Sequence, residues 1–98
     1  MKIVHPAFAG TLESSDLQVR IEPNNCGGIE LILDSTVEQQ FGHAIRQVVL
    51  HTLETMAICD ALVTIEDKGA LDCIIRARVQ AAVMRACDVQ NIEWSQLS

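Results

Sequence analysis

A chain of 98 residues, with seven Lys+Arg against thirteen Asp+Glu and a formal net charge of −6, has room for one domain around one core. Hydrophobic residues make up 49% of it, which argues against disorder, and aromatics only 3% (Phe8, Phe41 and Trp94), which excludes a fold or an RNA platform resting on aromatic stacking. A pI near 4.8 disfavours nucleic acid and anionic membrane surfaces as partners.

The first six residues lack the apolar stretch of a signal peptide, and no apolar run reaches membrane-spanning length, so the expected location is cytoplasmic. Residues 7–13 form a weakly alternating apolar run that ends at Ser14-Ser15-Asp16. Residues 17–22 alternate strictly, apolar then polar, as a half-buried strand does. The pair reads as a hairpin with Ser14 and Ser15 in its turn. Pro23-Asn24-Asn25-Cys26-Gly27-Gly28 is the strongest turn signal in the chain, and residues 29–34 supply a third strand. Three strands joined by short turns suggest an antiparallel meander.

Ser35 or Thr36 caps a helix expected over residues 36–58, with Ser35 and Glu38 at capping-box spacing. Val37, Phe41, Ala44, Ile45, Val48, Val49, Leu53 and Met56 form its apolar face. The short β-branched run 61–66 is a fourth strand, and residues 70–87 a second helix with Leu71, Ile74, Ile75, Val79, Ala82, Val83 and Ala86 as its stripe. In the tail, Ile92, Trp94 and Leu97 are candidates for local packing. The expected fold is α+β: one domain over residues 1–98, in the order βββαβα, with a four-stranded, mostly antiparallel sheet and two helices packed on one face. The helix between strands three and four is a candidate crossover that makes those strands parallel.

The usual catalytic constellations are missing. His5, His43 and His51 lack metal-binding spacing, the last two falling about 80° apart on a helix at 100° per residue. There is no glycine-rich phosphate loop and no nucleophile elbow, so neither a catalytic residue nor a metal site is assigned. Cys26, Cys59, Cys73 and Cys87 stand singly and read as buried or partly buried thiols in a reducing compartment. The densest acidic cluster, Glu66-Asp67 with Asp72, reads as charge at a helix N-terminus. Lys68, Arg76, Arg78 and Arg85 hold four of the seven cations. They read either as a solvated helix face or as a small cationic patch for a polyphosphate or an acidic partner. A binding or carrier module fits these absences better than an enzyme.

Three segments are more specific. Gly10-Thr11-Leu12-Glu13-Ser14-Ser15-Asp16, Gln40-Phe41-Gly42-His43-Ala44-Ile45 and the run from Asp67-Lys68-Gly69-Ala70 through Leu71-Asp72-Cys73-Ile74-Ile75-Arg76-Ala77-Arg78 closely resemble the acyl carrier (γ) subunit family of citrate lyase. The resemblance spans nearly the whole chain. It implies a non-catalytic carrier subunit of citrate (pro-3S)-lyase. It also implies that Ser14 bears a covalent 2'-(5''-triphosphoribosyl)-3'-dephospho-CoA arm through a phosphodiester, although on chemistry alone Ser15 remains open. The arm's thiol would hold acetyl and citryl thioesters during cleavage of citrate to acetate and oxaloacetate. The implied partners are the α subunit (citrate:acetyl-ACP transferase), the β subunit (citryl-ACP lyase) and a prosthetic-group transferase. Lys68, Arg76 and Arg78 are then candidate contacts for the arm's phosphates or for a partner. The alternatives are the carrier of a malonate decarboxylase-type complex, which uses the same kind of group, and a non-catalytic assembly module with an unmodified Ser14.

Overall fold

The computed structural model describes residues 2–35 and 38–87, with the side chains of residues 38–41 excepted. In chain order the elements are β1 (Ala7–Gly10), β2 (Leu17–Glu22), β3 (Ile29–Ser35), α1 (Glu38–Thr55), β4 (Ala61–Asp67) and α2 (Asp72–Ala86). This is the expected βββαβα order. The alternation of β2 places Leu17, Val19 and Ile21 in the core, and β4 does the same with Ala61, Val63 and Ile65. Both helices cover that face. α2 packs on β1 and β2 through Ile75, Val79, Ala82, Val83 and Ala86, while α1 packs on β3 and α2, burying Ile45, Val49 and Leu53.

The sheet order is β1-β2-β4-β3, which corrects the expected three-stranded meander. Only β1 and β2 form a hairpin, and β4 enters between β2 and β3, antiparallel to β2 and parallel to β3. The physical reason lies in the second turn. Gly28 accepts a hydrogen bond from the Ala61 N–H (3.0 Å) and donates its own N–H to the Asp60 carboxylate (2.6 Å). The turn therefore carries the chain across the start of β4 instead of folding it back on β2. α1 is the crossover that makes β3 and β4 parallel, as its position in the sequence suggests.

Several boundaries move. β1 stops at Gly10, where φ is +90°, three residues before the expected end. α1 stops at Thr55 in a Schellman arrangement: Ile58 N–H donates to the Leu53 carbonyl and Ala57 N–H to the Glu54 carbonyl, both 3.0 Å, with Ala57 at φ +58°. Leu71, expected in the α2 stripe, precedes the helix and is 71% exposed. Ala44 is exposed too, and Thr52 is buried instead, its hydroxyl turned back onto the Val48 carbonyl (2.7 Å). The N-terminal segment is clipped to the end of α2, because Val4 N–H, His5 N–H and His5 Nδ1 all donate to the Ala86 carbonyl (2.9, 3.2 and 3.1 Å). The expectations for Thr36, Val37, the side chains of Glu38 and Phe41, and the tail residues Ile92, Trp94 and Leu97 lie outside the described residues.

Candidate attachment site on the turn between the first two strands

Residues 11–16 connect β1 to β2, and the connection is held from three directions. At its root, Gly10 takes a backbone conformation that favours glycine, and a Cβ there would run into the Leu17 carbonyl. At its end, the Asp16 carboxylate accepts four hydrogen bonds. Oδ2 takes the Thr11 hydroxyl (2.8 Å) and Arg78 Nη2 (3.1 Å); Oδ1 takes the Leu17 N–H (2.8 Å) and Arg78 Nε (3.1 Å). Partial desolvation works to raise the Asp16 carboxyl, but the Thr11 and Arg78 hydrogen bonds, the Leu17 N–H and the guanidinium charge outweigh it and hold it below its ordinary value. Within the turn, Glu13 N–H donates to Thr11 Oγ1 (3.2 Å) and Asp16 N–H to the Glu13 carbonyl (3.1 Å).

The third support comes from the loop after β4. Ser15 N–H donates to the Lys68 carbonyl (2.8 Å), and Lys68 N–H donates to the Asp16 carbonyl (2.9 Å). Ser15 sits at φ +66°, a conformation that costs a non-glycine residue about 1–2 kcal/mol and that these bonds offset. The loop is itself anchored by Asp67. That side chain is buried, accepts the Ser35 hydroxyl on Oδ2 (2.8 Å) and caps the Ala70 N–H with Oδ1 (3.0 Å). Asp67 is therefore an internal brace, which corrects its reading as charge at a helix N-terminus. Asp72 does lie in the first turn of α2.

Ser14 occupies the tip. It is exposed, and its hydroxyl makes no hydrogen bond among the described residues. An unengaged hydroxyl on a turn tied at both neighbouring positions has the geometry a covalent attachment point requires: access for a modifying enzyme and a fixed root for whatever is attached. Ser15 is exposed as well and its hydroxyl is also unbonded among the described residues; it differs in that its backbone N–H is committed to Lys68.

The structure separates the three candidate cations. Arg78 is bonded bidentately to Asp16. Lys68 is at the foot of the turn, half-buried. Arg76, exposed, lies about 160° around α2 from Arg78 at 100° per residue, on the other flank of the buried stripe. Arg85 donates to the Phe8 carbonyl (2.8 Å). The role of Asp16 was missing from the sequence reading. Its signal there was a turn-type residue beside the serines, whereas its partner Arg78 is 62 positions away. The cysteines also need correction. All four are free, but Cys26, Cys59 and Cys73 are exposed and only Cys87 is buried, because the first three fall on a turn, a connection and the solvent side of α2. Burial pushes the Cys87 thiol up. Among the described residues no group of His, Cys, Asp and Glu is arranged to hold a metal ion, and no helix is long and apolar enough to cross a membrane.

An α+β domain that presents exposed serine hydroxyls at the tip of a braced turn has the build of a carrier, and comparison with known proteins agrees. A family model described as "Malonate decarboxylase delta subunit (MdcD)" matches residues 4–86. The chain is 91% identical over its full 98 residues, and over the whole of the relative, to a citrate lyase acyl carrier protein of Vibrio cholerae serotype O1 (strain M66-2). It is 57% identical over 97 residues, 99% of this chain and 100% of the relative, to citrate lyase acyl carrier protein 2 of Salmonella paratyphi A. A chain in the crystal structure of a Pseudomonas malonate decarboxylase hetero-tetramer in complex with malonate shares the fold, with a TM-score of 0.72, 18% identity and 87% of each chain covered. The chain belongs to the citrate lyase acyl carrier protein family.

Proposed function

We propose that Ser14 bears 2'-(5''-triphosphoribosyl)-3'-dephospho-CoA through a phosphodiester and that the domain carries acyl groups between the active sites of a cytoplasmic citrate lyase. When bound, that group supplies a terminal thiol able to hold acetyl and citryl as thioesters. The observation that carries the reading is the exposed, unbonded Ser14 hydroxyl on a turn clamped by Asp16–Arg78 and by the Lys68 loop.

The chain's own residues then have distinct tasks. Gly10, Asp16 and Arg78 fix the direction in which the tip points. Asp67 shapes the loop that ties Ser15. Lys68, at the foot of the turn, is the cation placed to steady phosphates near the attachment point, and Arg76 faces outward toward a partner. Nothing in the domain need act as acid, base or nucleophile toward citrate, because that chemistry belongs to the α subunit (citrate:acetyl-ACP transferase) and the β subunit (citryl-ACP lyase). Tethering makes delivery between them intramolecular, with effective concentrations up to about the mM range if the arm spans both sites.

A role in a malonate decarboxylase-type complex is the second reading, supported by the family model and the shared fold. Identity of 91% and 57% to citrate lyase carriers favours citrate lyase. Intact mass of the protein from citrate-fermenting cells, with fragmentation, tests the assignment. The expected result is the mass increment of the phosphodiester-linked group on Ser14 and none in Ser14→Ala. An increment on Ser15 moves the site by one residue, and an unmodified chain beside active lyase and transferase overturns the carrier role in favour of an assembly module.

A further inference from the structure

The sheet has a second face, which neither α1 nor α2 covers. Its side chains lie in rows across the strands: Phe8, Arg20, Thr64 and Ile32 in the middle, with Glu22, Leu62 and Glu30 on one side and Gln18, Glu66 and Asp34 on the other. The β1–β2 half is internally compensated. Arg20 stacks over Phe8 (5.4 Å) and reaches Glu22 (3.7 Å).

The β3–β4 half is not. Along β3, Glu30, Ile32 and Asp34 point outward in alternation, with Ile32 56% exposed, and the register sets Glu30 beside Leu62 and Asp34 beside Glu66. Among the described residues none of these three carboxylates has an ion-pair partner. Two like charges side by side on neighbouring strands disfavour the isolated fold. Single exposed aliphatics are ordinary. An isoleucine and a half-buried leucine ringed by three uncompensated carboxylates make a patch with a defined complement.

We propose that this half of the open face is the docking surface for a lysine- and arginine-bearing surface, centred on an apolar contact, of a large subunit of the carrier's own complex. The proposal rests on the carrier reading and deepens it. Charge selects the occupant. A second copy of the chain would bring the same carboxylates to the interface, and residues 88–98 contain Asp88 and Glu93 but no Lys or Arg. The placement is also useful. The Asp34–Glu66 end of the patch is where β4 runs into Asp67 and Lys68, the loop bonded to Ser15 and Asp16, so a partner seated there lies beside the root of the arm.

The test measures binding of the full-length chain to recombinant α and β subunits at low and high salt. It compares wild type, the charge reversal Glu30→Lys/Asp34→Lys/Glu66→Lys and the neutral Asp34→Asn/Glu66→Gln. Each chain is also offered to purified transferase, and its Ser14 mass is read. The expected result is wild-type binding to one subunit that weakens with salt, a loss of at least about tenfold in the reversal variant, and a smaller loss with a flatter salt dependence in the neutral one. Ser14 loading should be unchanged in all three, and the melting temperature of the neutral variant equal to wild type or higher. Equal binding by wild type and charge reversal, with Ser14 loaded, overturns the docking surface and leaves the carrier reading standing. An unloaded wild-type Ser14 overturns both. Wild type that binds neither subunit, while Ile92→Ser/Trp94→Ser/Leu97→Ser alters amide exchange in β3 and β4, shows that the chain's own tail covers the face and also overturns the proposal. So does concentration-dependent dimerisation abolished by the reversal.

Discussion

The two turns of the sheet's first half look alike in sequence and are built on opposite principles. The turn after β2 is closed by its own side chain and reaches across the chain only at Gly28, to Asp60 and Ala61. The Asn24 side chain donates to the carbonyls of Gly27 (3.2 Å) and Gly28 (3.1 Å) and accepts the Cys26 N–H (3.1 Å), and glycines occupy its left-handed positions. The turn after β1 is held by residues far along the chain, Arg78 on α2 and Lys68 after β4, and its left-handed position is a serine. The difference teaches what presentation of a reactive side chain requires. A locally closed turn spends its polar side chains on itself. Tertiary bracing keeps the tip of the turn free, so that Ser14 is fixed in space without being hydrogen-bonded.

The largest break in that comparison should come at Gly10. Adding one methyl in Gly10→Ala drives a Cβ into the Leu17 carbonyl at φ +90°, so the backbone of the hairpin must shift. We expect a loss of about 2–4 kcal/mol, read by chemical denaturation, together with slower Ser14 loading. Next comes the brace. Arg78→Ala removes two hydrogen bonds from a carboxylate that keeps its other partners, and the Arg78 side chain is 40% exposed, so the expected loss is about 1 kcal/mol. Removing a proton-competing donor should also raise the Asp16 pKa, which carboxyl NMR titration reads directly. In wild type the Asp16 carboxyl is depressed on folding, so its contribution is present above the unfolded value near pH 3.9 and is lost as pH falls through the folded value. Asp16→Asn should therefore flatten the acid limb of the stability curve. A mutant whose curve overlays wild type above about pH 4, or runs parallel to it through the acid limb without converging, would show that Asp16 is not the brace.

How much of this was legible follows from the range over which each feature is determined. The alternation of Leu17, Val19 and Ile21 is local, and it gave β2 with its burial to the residue. The stripe from Ile75 to Ala86 did the same for α2. Strand order was not local. β3 alternates equally well beside β2 or β4, and what decides is the Gly28 contact with Asp60 and Ala61 across 32 residues. The end of α1 was hidden because Ala57 holds a left-handed position where the sequence signal is glycine. At the site, Ser14 was reached through its motif, while Asp16 had no role assigned and Asp67 read as charge at a helix N-terminus. The pairing that makes each a brace joins residues the sequence keeps far apart.

The smallest predicted effect sharpens the contrast from the other side. Gly28 also has a positive φ, of +80°, but no atom lies within 4 Å of the position a Cβ would take. Gly28→Ala therefore meets the left-handed penalty alone, about 1 kcal/mol, offset by the smaller entropy of the unfolded chain. For a domain of this size that is a fall of roughly 4–8 °C in melting temperature at most. Ser14 loading by the transferase should be unaffected, because no bond connects this turn to Asp16, Lys68 or Arg78. If Gly28→Ala slowed loading as much as Gly10→Ala, the two turns would have to be coupled through β2. The attachment turn would then owe its shape to the whole hairpin and not to the Asp16–Arg78 clamp.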